Sequence, residues 1–150
     1  MARGALKTYN LAMVKILLGG VPMDGFGESD ALSFEANSDL FESAVGADGE
    51  VTRSATNDRS GVITLTLMST SKANDWLNTW LSKSKTVELT LGAGDKFEIY
   101  VKDLNSLDTL IAADAYIQKE PTSTYGRNAA EREWTIYAAN VSTIFGGSLT

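Results

Sequence analysis

Five separate runs of this chain alternate apolar and polar residues with a period of two, and that pattern limits the fold more than any other feature. Ile63, Leu65 and Leu67 alternate with Val62, Thr64 and Thr66. Val87, Leu89 and Leu91 alternate with Glu88 and Thr90. Phe97, Ile99 and Val101 alternate with Glu98, Tyr100 and Lys102. Leu32, Phe34 and Ala36 alternate with Ser33, Glu35 and Asn37. Trp134, Ile136 and Ala138 alternate with Thr135 and Tyr137. Successive side chains of a strand point to opposite faces, so each run predicts a strand with one buried face. Tyr9–Leu18 and Thr109–Lys119 are further strand candidates. Gly19-Gly20 and Gly92-Ala93-Gly94-Asp95 sit between apolar runs, where hairpin turns belong. Pro22-Met23-Asp24 reads as a turn as well.

One segment has a different period. Between Lys72 and Leu81 the apolar residues are Ala73, Trp76, Leu77, Trp80 and Leu81, spaced by three and four. That spacing predicts a helix over about 71–83 with one apolar face. Ser71 or Thr70 can cap it, Asp75 suits its first turn, and Lys83 suits its end. Trp76 and Trp80 on one stripe could form a ligand platform, but a face covering the sheet is the simpler use of them. Strands, one helix, then strands again is the order of a mainly β fold. It predicts an antiparallel sandwich or barrel with a flanking helix rather than a parallel α/β sheet.

The length, 150 residues, fits one domain. Cysteine and histidine are both absent. Their absence excludes a Ser-His-Asp triad, a thiol nucleophile, a Cys/His zinc site and a structural disulfide. Arg3 and Lys7 precede an apolar run from Leu11 to Val21, which imitates a leader peptide. Lys15 interrupts the run and no small-residue cleavage pattern follows, so an N-terminal strand is expected there. No apolar run is long enough to cross a membrane as a helix. No cofactor or metal ligand set is indicated, and Asp48-Gly49-Glu50 lacks the spacing of a calcium loop.

Charge is unevenly placed. From Ile16 to Thr52 there is no Lys or Arg, while Asp24, Glu28, Asp30, Glu35, Asp39, Glu42, Asp48 and Glu50 all fall there. That window is −8 against −6 for the whole chain, so the remainder carries +2. A solvated acidic face accounts for it, and nothing selects a catalytic carboxylate pair. A net acidic chain is also a poor general binder of DNA, since phosphate contacts need Lys and Arg. The polar, glycine-bearing stretch at about 45–61 is too long for a tight turn and is expected to be a loop or protruding hairpin that is either mobile or used.

That stretch also carries a resemblance. Val45-Gly46-Ala47-Asp48-Gly49-Glu50-Val51-Thr52-Arg53-Ser54, followed by Asn57-Asp58-Arg59-Ser60-Gly61-Val62-Ile63-Thr64-Leu65-Thr66-Leu67 and Thr70-Ser71-Lys72-Ala73-Asn74-Asp75, resembles the tail tube proteins of contractile-tailed bacteriophages. Leu6–Asn10, Gly19–Pro22, Val101–Leu104, Tyr116–Lys119 with Pro121, and Arg132–Trp134 extend the match in order over nearly the whole chain. The resemblance implies a non-enzymatic virion protein of one tube-like domain. Its copies would form hexameric rings that stack into the tube inside a contractile sheath, through which DNA is ejected.

The implied partners are further copies of the chain, the sheath, the tape measure and the baseplate. DNA would pass without specific binding, no membrane would be involved, and the subunit would travel from host cytoplasm to virion tail. The expected lumen-facing acids are Glu28, Asp30, Glu35, Asp39 and Glu42. The expected inter-ring loop residues are Asp48, Glu50, Arg53, Asn57, Asp58 and Arg59, with Met1–Thr8 and Phe145–Thr150 as arms. The rival expectations are a secretion-system tube or baseplate ring protein, a small monomeric β-barrel binding a ligand with Trp76, Trp80 and Trp134, and, last, a carboxylate hydrolase.

Overall fold

The computed structural model describes residues 9–26, 31–90, 96–122 and 124–145. A 3-10 turn, Leu11–Met13, leads into β1 (Val14–Leu18), β2 (Val21–Pro22) and β3 (Leu32–Ala36). There follow β4 (Phe41–Val45), β5 (Val51–Ala55), β6 (Gly61–Met68), the helix α1 (Ala73–Thr90), β7 (Phe97–Asp103), β8 (Thr109–Lys119) and β9 (Glu131–Ile144). Seven strands form one antiparallel sheet in the order β2-β1-β7-β8-β9-β6-β3, and β4 and β5 pair only with each other. The fold is thus mainly β with one helix, as the alternation predicts.

The sheet curls back on itself. Pro22 pairs with Leu17 at one edge, and Phe26 bridges Leu67 near the other. A chain advances at most ~3.6 Å per residue, so the three intervening residues hold the two edges within about 14 Å. A bend in the long strands helps. Ala112 and Ala115 of β8 both face inward opposite Val141 and Ala138, and Asp114 between them takes φ 54°. Small inward residues at that phase slip let the strands turn the corner without a clash.

The interior is built from the alternating residues. Ile63, Leu65, Leu67, Ile99, Trp134 and Ile136 are all fully buried, and Gly61–Met68 alternates between buried and half-buried at every step. The helix covers one end of this roll. Trp76 packs edge-on and Trp80 at a tilt against Phe97, with ring centres 5.4 and 5.1 Å away, and Leu77 is fully buried. Gly19 has φ 60°, and a Cβ there would stand 2.9 Å from the Trp76 ring, so the glycine serves both the turn and the helix contact.

Three sequence expectations need correction. Val87–Thr90 belongs to the helix, not to a strand, so α1 runs seven residues past the expected end and Lys83 lies in its middle rather than its last turn. Nothing between Leu81 and Thr90 breaks a helix, and propagation costs little once a helix has nucleated. The chain reverses at Gly19-Gly20 as expected, but the turn expected at Pro22-Met23-Asp24 does not start at Pro22, which is already paired in β2. Proline is tolerated there because β2 is an edge strand. The N-terminal strand is shorter than expected, since Asn10 caps the 3-10 turn before β1. The expected turn at 92–95 lies outside the described residues.

Candidate assembly surfaces

Of the two expectations for about 45–61, a loop or a protruding hairpin, the structure has the hairpin: β5 pairs with β4 from Phe41↔Ala55 to Val45↔Val51. The turn between them is tightly built. Gly49 N–H donates to the Gly46 carbonyl at 2.9 Å, Gly46 N–H to the Glu50 carbonyl at 2.7 Å, and Asp48 Oδ1 accepts from Glu50 N–H at 3.1 Å. Gly49 has φ 89°, the left-handed position that a three-residue hairpin loop requires. Every residue of both strands is exposed.

The pairing makes the hairpin two-faced. Phe41, Ser43 and Val45 share a face with Val51, Arg53 and Ala55, while Glu42, Ala44, Thr52 and Ser54 lie on the other. The Arg53 guanidinium sits 4.2 Å over the Phe41 ring. Val45 and Val51 are 69% and 62% exposed, which is unusual for side chains that could bury most of their surface elsewhere.

A polar clasp holds the root of the hairpin. Asp58 accepts from the Ser38 hydroxyl at 2.6 Å, from the Ser60 hydroxyl at 2.6 Å and from Ser60 N–H at 2.9 Å. These bonds, with the Ser38 hydroxyl foremost, and the charge of Arg59 hold the Asp58 carboxyl at about 2, below the usual 3.8. Asn37 donates to the Ser60 hydroxyl at 3.0 Å, Arg59 donates to the Thr56 carbonyl at 2.8 Å, and Val141 N–H donates to the Arg59 carbonyl at 2.9 Å. Asp58 and Arg59 therefore anchor the hairpin within the chain, a role that spacing alone does not reveal.

A second surface lies at the end of the roll away from the helix. A cleft of about 700 Å³ opens along the seam between β1 and β3. Val14, Ile16, Leu32, Phe34, Leu110 and Ile144 contribute to its apolar wall, and its charged lining residues are Asp103 and Asp108. Partial burial would raise the Asp103 carboxyl, but bonds from Asn105 and Ser106 outweigh it and hold the group low.

The tryptophans are engaged in packing within the chain. Trp134 is fully buried and its Nε1–H donates to Asn74 Oδ1 at 2.9 Å. Trp76 and Trp80 are used against Phe97, and none of the three lines the cleft. Among the described residues no cluster of acids could hold a metal. Glu35, Asp39 and Glu42 are exposed, Glu35 on β3 and Glu42 on the polar face of the hairpin, whereas Glu28 and Asp30 lie outside the described residues. Asp48, Glu50, Arg53 and Asn57 are exposed on the hairpin or just after it. No described helix is long and apolar enough to cross a membrane.

Comparison with known proteins places this architecture. Structural protein ORF10 of Pseudomonas phage KPP10 is 29% identical over 126 residues, covering 84% of this chain and 71% of that protein. The cap that terminates the tube of the anti-feeding prophage shares the fold, with a TM-score of 0.64 at 12% identity over 97% of this chain and 96% of its own. The sheath/tube terminator of the extracellular contractile injection system PVC does so too, with a TM-score of 0.60 at 16% identity over 94% and 99%. The family model of the bacteriophage PhiTE tail tube protein matches residues 17–146, from within β1 to beyond the end of β9. The chain belongs to that family of structural tail tube proteins.

Proposed function

We propose that copies of this chain close into hexameric rings, and that the rings stack into the inner tube of a contractile tail through which phage DNA is ejected. The observation that carries the proposal is the exposed, two-faced β4–β5 hairpin in a chain of the tail tube family. A two-stranded hairpin alone is at best marginally stable in water, so a hairpin with an apolar face calls for a partner. Head-to-tail contacts that close by rotation make rings, and those that do not close make filaments.

In this reading the whole chain is one tube-forming domain with arms at its two termini. The hairpin turn, with Asp48 and Glu50, reaches the next ring. Arg53 and Asn57 take part in contacts between copies, and Asp58 and Arg59 hold the hairpin at its working angle. Glu28, Asp30, Glu35, Asp39 and Glu42 face the lumen. Fixed negative charge there repels phosphates and avoids the counterion-release binding that Lys and Arg would create, so DNA slides. The sheath lies outside the tube, the tape measure within it and the baseplate at its start. A sheath/tube terminator with this fold in a contractile injection system supports the place beside a sheath. The subunit is made in the host cytoplasm, ends in the virion tail and performs no turnover.

Negative-stain electron microscopy of the purified protein at rising concentration tests this. Rings or hollow filaments are expected. A protein that stays monomeric, both alone and when co-expressed with the other tail proteins of its phage, overturns it.

A further inference from the structure

The hairpin and the cleft are complementary in polarity and in charge. The apolar face of the hairpin carries one charged residue, Arg53, and the charged residues lining the cleft are two acids, Asp103 and Asp108. We propose that the apolar face of β4–β5 of one copy seats in the β1–β3 cleft of a second copy standing beside it, with Arg53 against Asp103 and Asp108. The inference rests on the tube reading and adds to it which surfaces join copies laterally.

Position along β6 argues for a lateral contact. The hairpin returns to the sheet at Gly61, the first residue of β6, while α1 begins just after its last, Met68. Eight residues at about 3.4 Å each put the hairpin root and the start of the helix about 25 Å apart along β6. The cleft lies at the hairpin's own end: Phe34 lines it, and the Phe34 ring also packs against Gly61 closely enough to leave no room for a Cβ there. A hairpin strand of five residues is about 17 Å long. A copy side by side offers its cleft at the level of the hairpin root, where Phe34 meets Gly61.

Seating the face buries Phe41, Val45 and Val51 against Leu32, Phe34 and Ile144, and brings a cation to the acidic part of the lining. The polar face and the turn acids Asp48 and Glu50 stay free for the next ring. The contact is heterologous, each copy offering a hairpin and receiving another, so it closes only by rotation into a ring.

The absence of native cysteine makes a clean test possible. V51C and I144C are made in separate copies, as is K72C at the start of the helix; Val51, Ile144 and Lys72 are all exposed. Mixed copies are assembled, oxidised, imaged and run without reductant. The expected result is a disulfide dimer from V51C with I144C and none from V51C with K72C. Rings or tubes in which V51C joins K72C and not I144C overturn the lateral contact and leave the tube reading standing. Assembled copies that give neither disulfide overturn the lateral contact as well, and a wild-type chain that stays monomeric even with the other tail proteins of its phage overturns both. A second measurement uses charge. R53D is expected to lower the yield of assembled material about tenfold, and D108K in the same chain to restore it, because like charges at a desolvated contact are strongly unfavourable. No recovery in the double variant overturns the pairing.

Discussion

Asn74 joins the helix to the sheet, and replacing it by alanine gives a sharp test of how the helix is held. The residue is 3% exposed. Its Oδ1 accepts from buried Trp134 Nε1–H at 2.9 Å, and its Nδ2 donates to the carbonyls of Met68 at 2.9 Å and Ser71 at 3.2 Å. Those carbonyls keep backbone donors, since Ser71 N–H reaches Met68 and Asn74 N–H reaches Ser71, so their loss is small. The indole N–H has no such substitute and would remain buried and unpaired, at a cost of about 1–3 kcal/mol. With the weakened carbonyl bonds and a small void, N74A should destabilise the unassembled protein by about 2–4 kcal/mol.

For a chain of this length each kcal/mol lowers the melting temperature by roughly 2–4 °C, so a fall of about 5–15 °C is expected. Thermal and urea unfolding of dilute protein, followed by near-ultraviolet circular dichroism, gives both values. The mechanism is tested by W134F, which removes the N–H itself. In the W134F background, N74A should cost about 1–2 kcal/mol less than in the wild type. Costs that simply add, within about 0.5 kcal/mol, refute the claim that an orphaned indole N–H carries the effect.

Two further outcomes test the surfaces. With D58N, hydrogen exchange at the Ser60 amide should accelerate while the core amides keep their protection; unchanged exchange at Ser60 would show that the clasp does not hold the hairpin root. In the wild type the Asp58 carboxyl sits at about 2 in the folded chain, below its usual 3.8, so its stabilising contribution is fully present above the usual value and is lost as pH falls through about 2. The slowed exchange at Ser60 should follow that window in the wild type and lose its dependence in D58N. Replacing Glu35, Asp39 and Glu42 together by lysine should leave tubes intact and slow DNA ejection, with added salt relieving the delay; ejection at wild-type speed in low salt would remove these acids from the lumen.

Much of the sheet was legible because burial on one side of a strand imposes a period of two. Thr109–Lys119 is a strand over its whole expected length, and the run through Ile63, Leu65 and Leu67 buries each of those residues. Ser71 was legible as a cap because the first turn of a helix leaves N–H groups without partners, and its hydroxyl accepts from Ala73 N–H at 3.2 Å. The end of that helix was not legible. Val87, Glu88, Leu89 and Thr90 alternate as a short strand does, and a run so brief cannot distinguish the two periods. The hairpin was expected only as an alternative to a loop, and its strands were not assigned, because Thr52, Arg53 and Ser54 are polar and strand periodicity shows only where one face is buried within the same chain. The turn glycine Gly49 between two weakly alternating runs was its available signal.

The sequence by itself determined the strand-rich class, the place of the helix and the absence of thiol and imidazole chemistry, because these follow from residue type and local spacing. Tertiary structure decided the rest. Asn74 and Trp134 stand 60 residues apart, and only the closing of the helix over the roll makes one the partner of the other. Ser38, Asp58 and Ser60 form a clasp only because β3 and β6 lie side by side. The cleft draws on β1, β3, β7, β8 and β9 at once, so no local pattern encodes it; it exists because the sheet curls without closing. Short-range patterns report what each residue does to its own segment, whereas a surface that receives another chain depends on how distant segments share space.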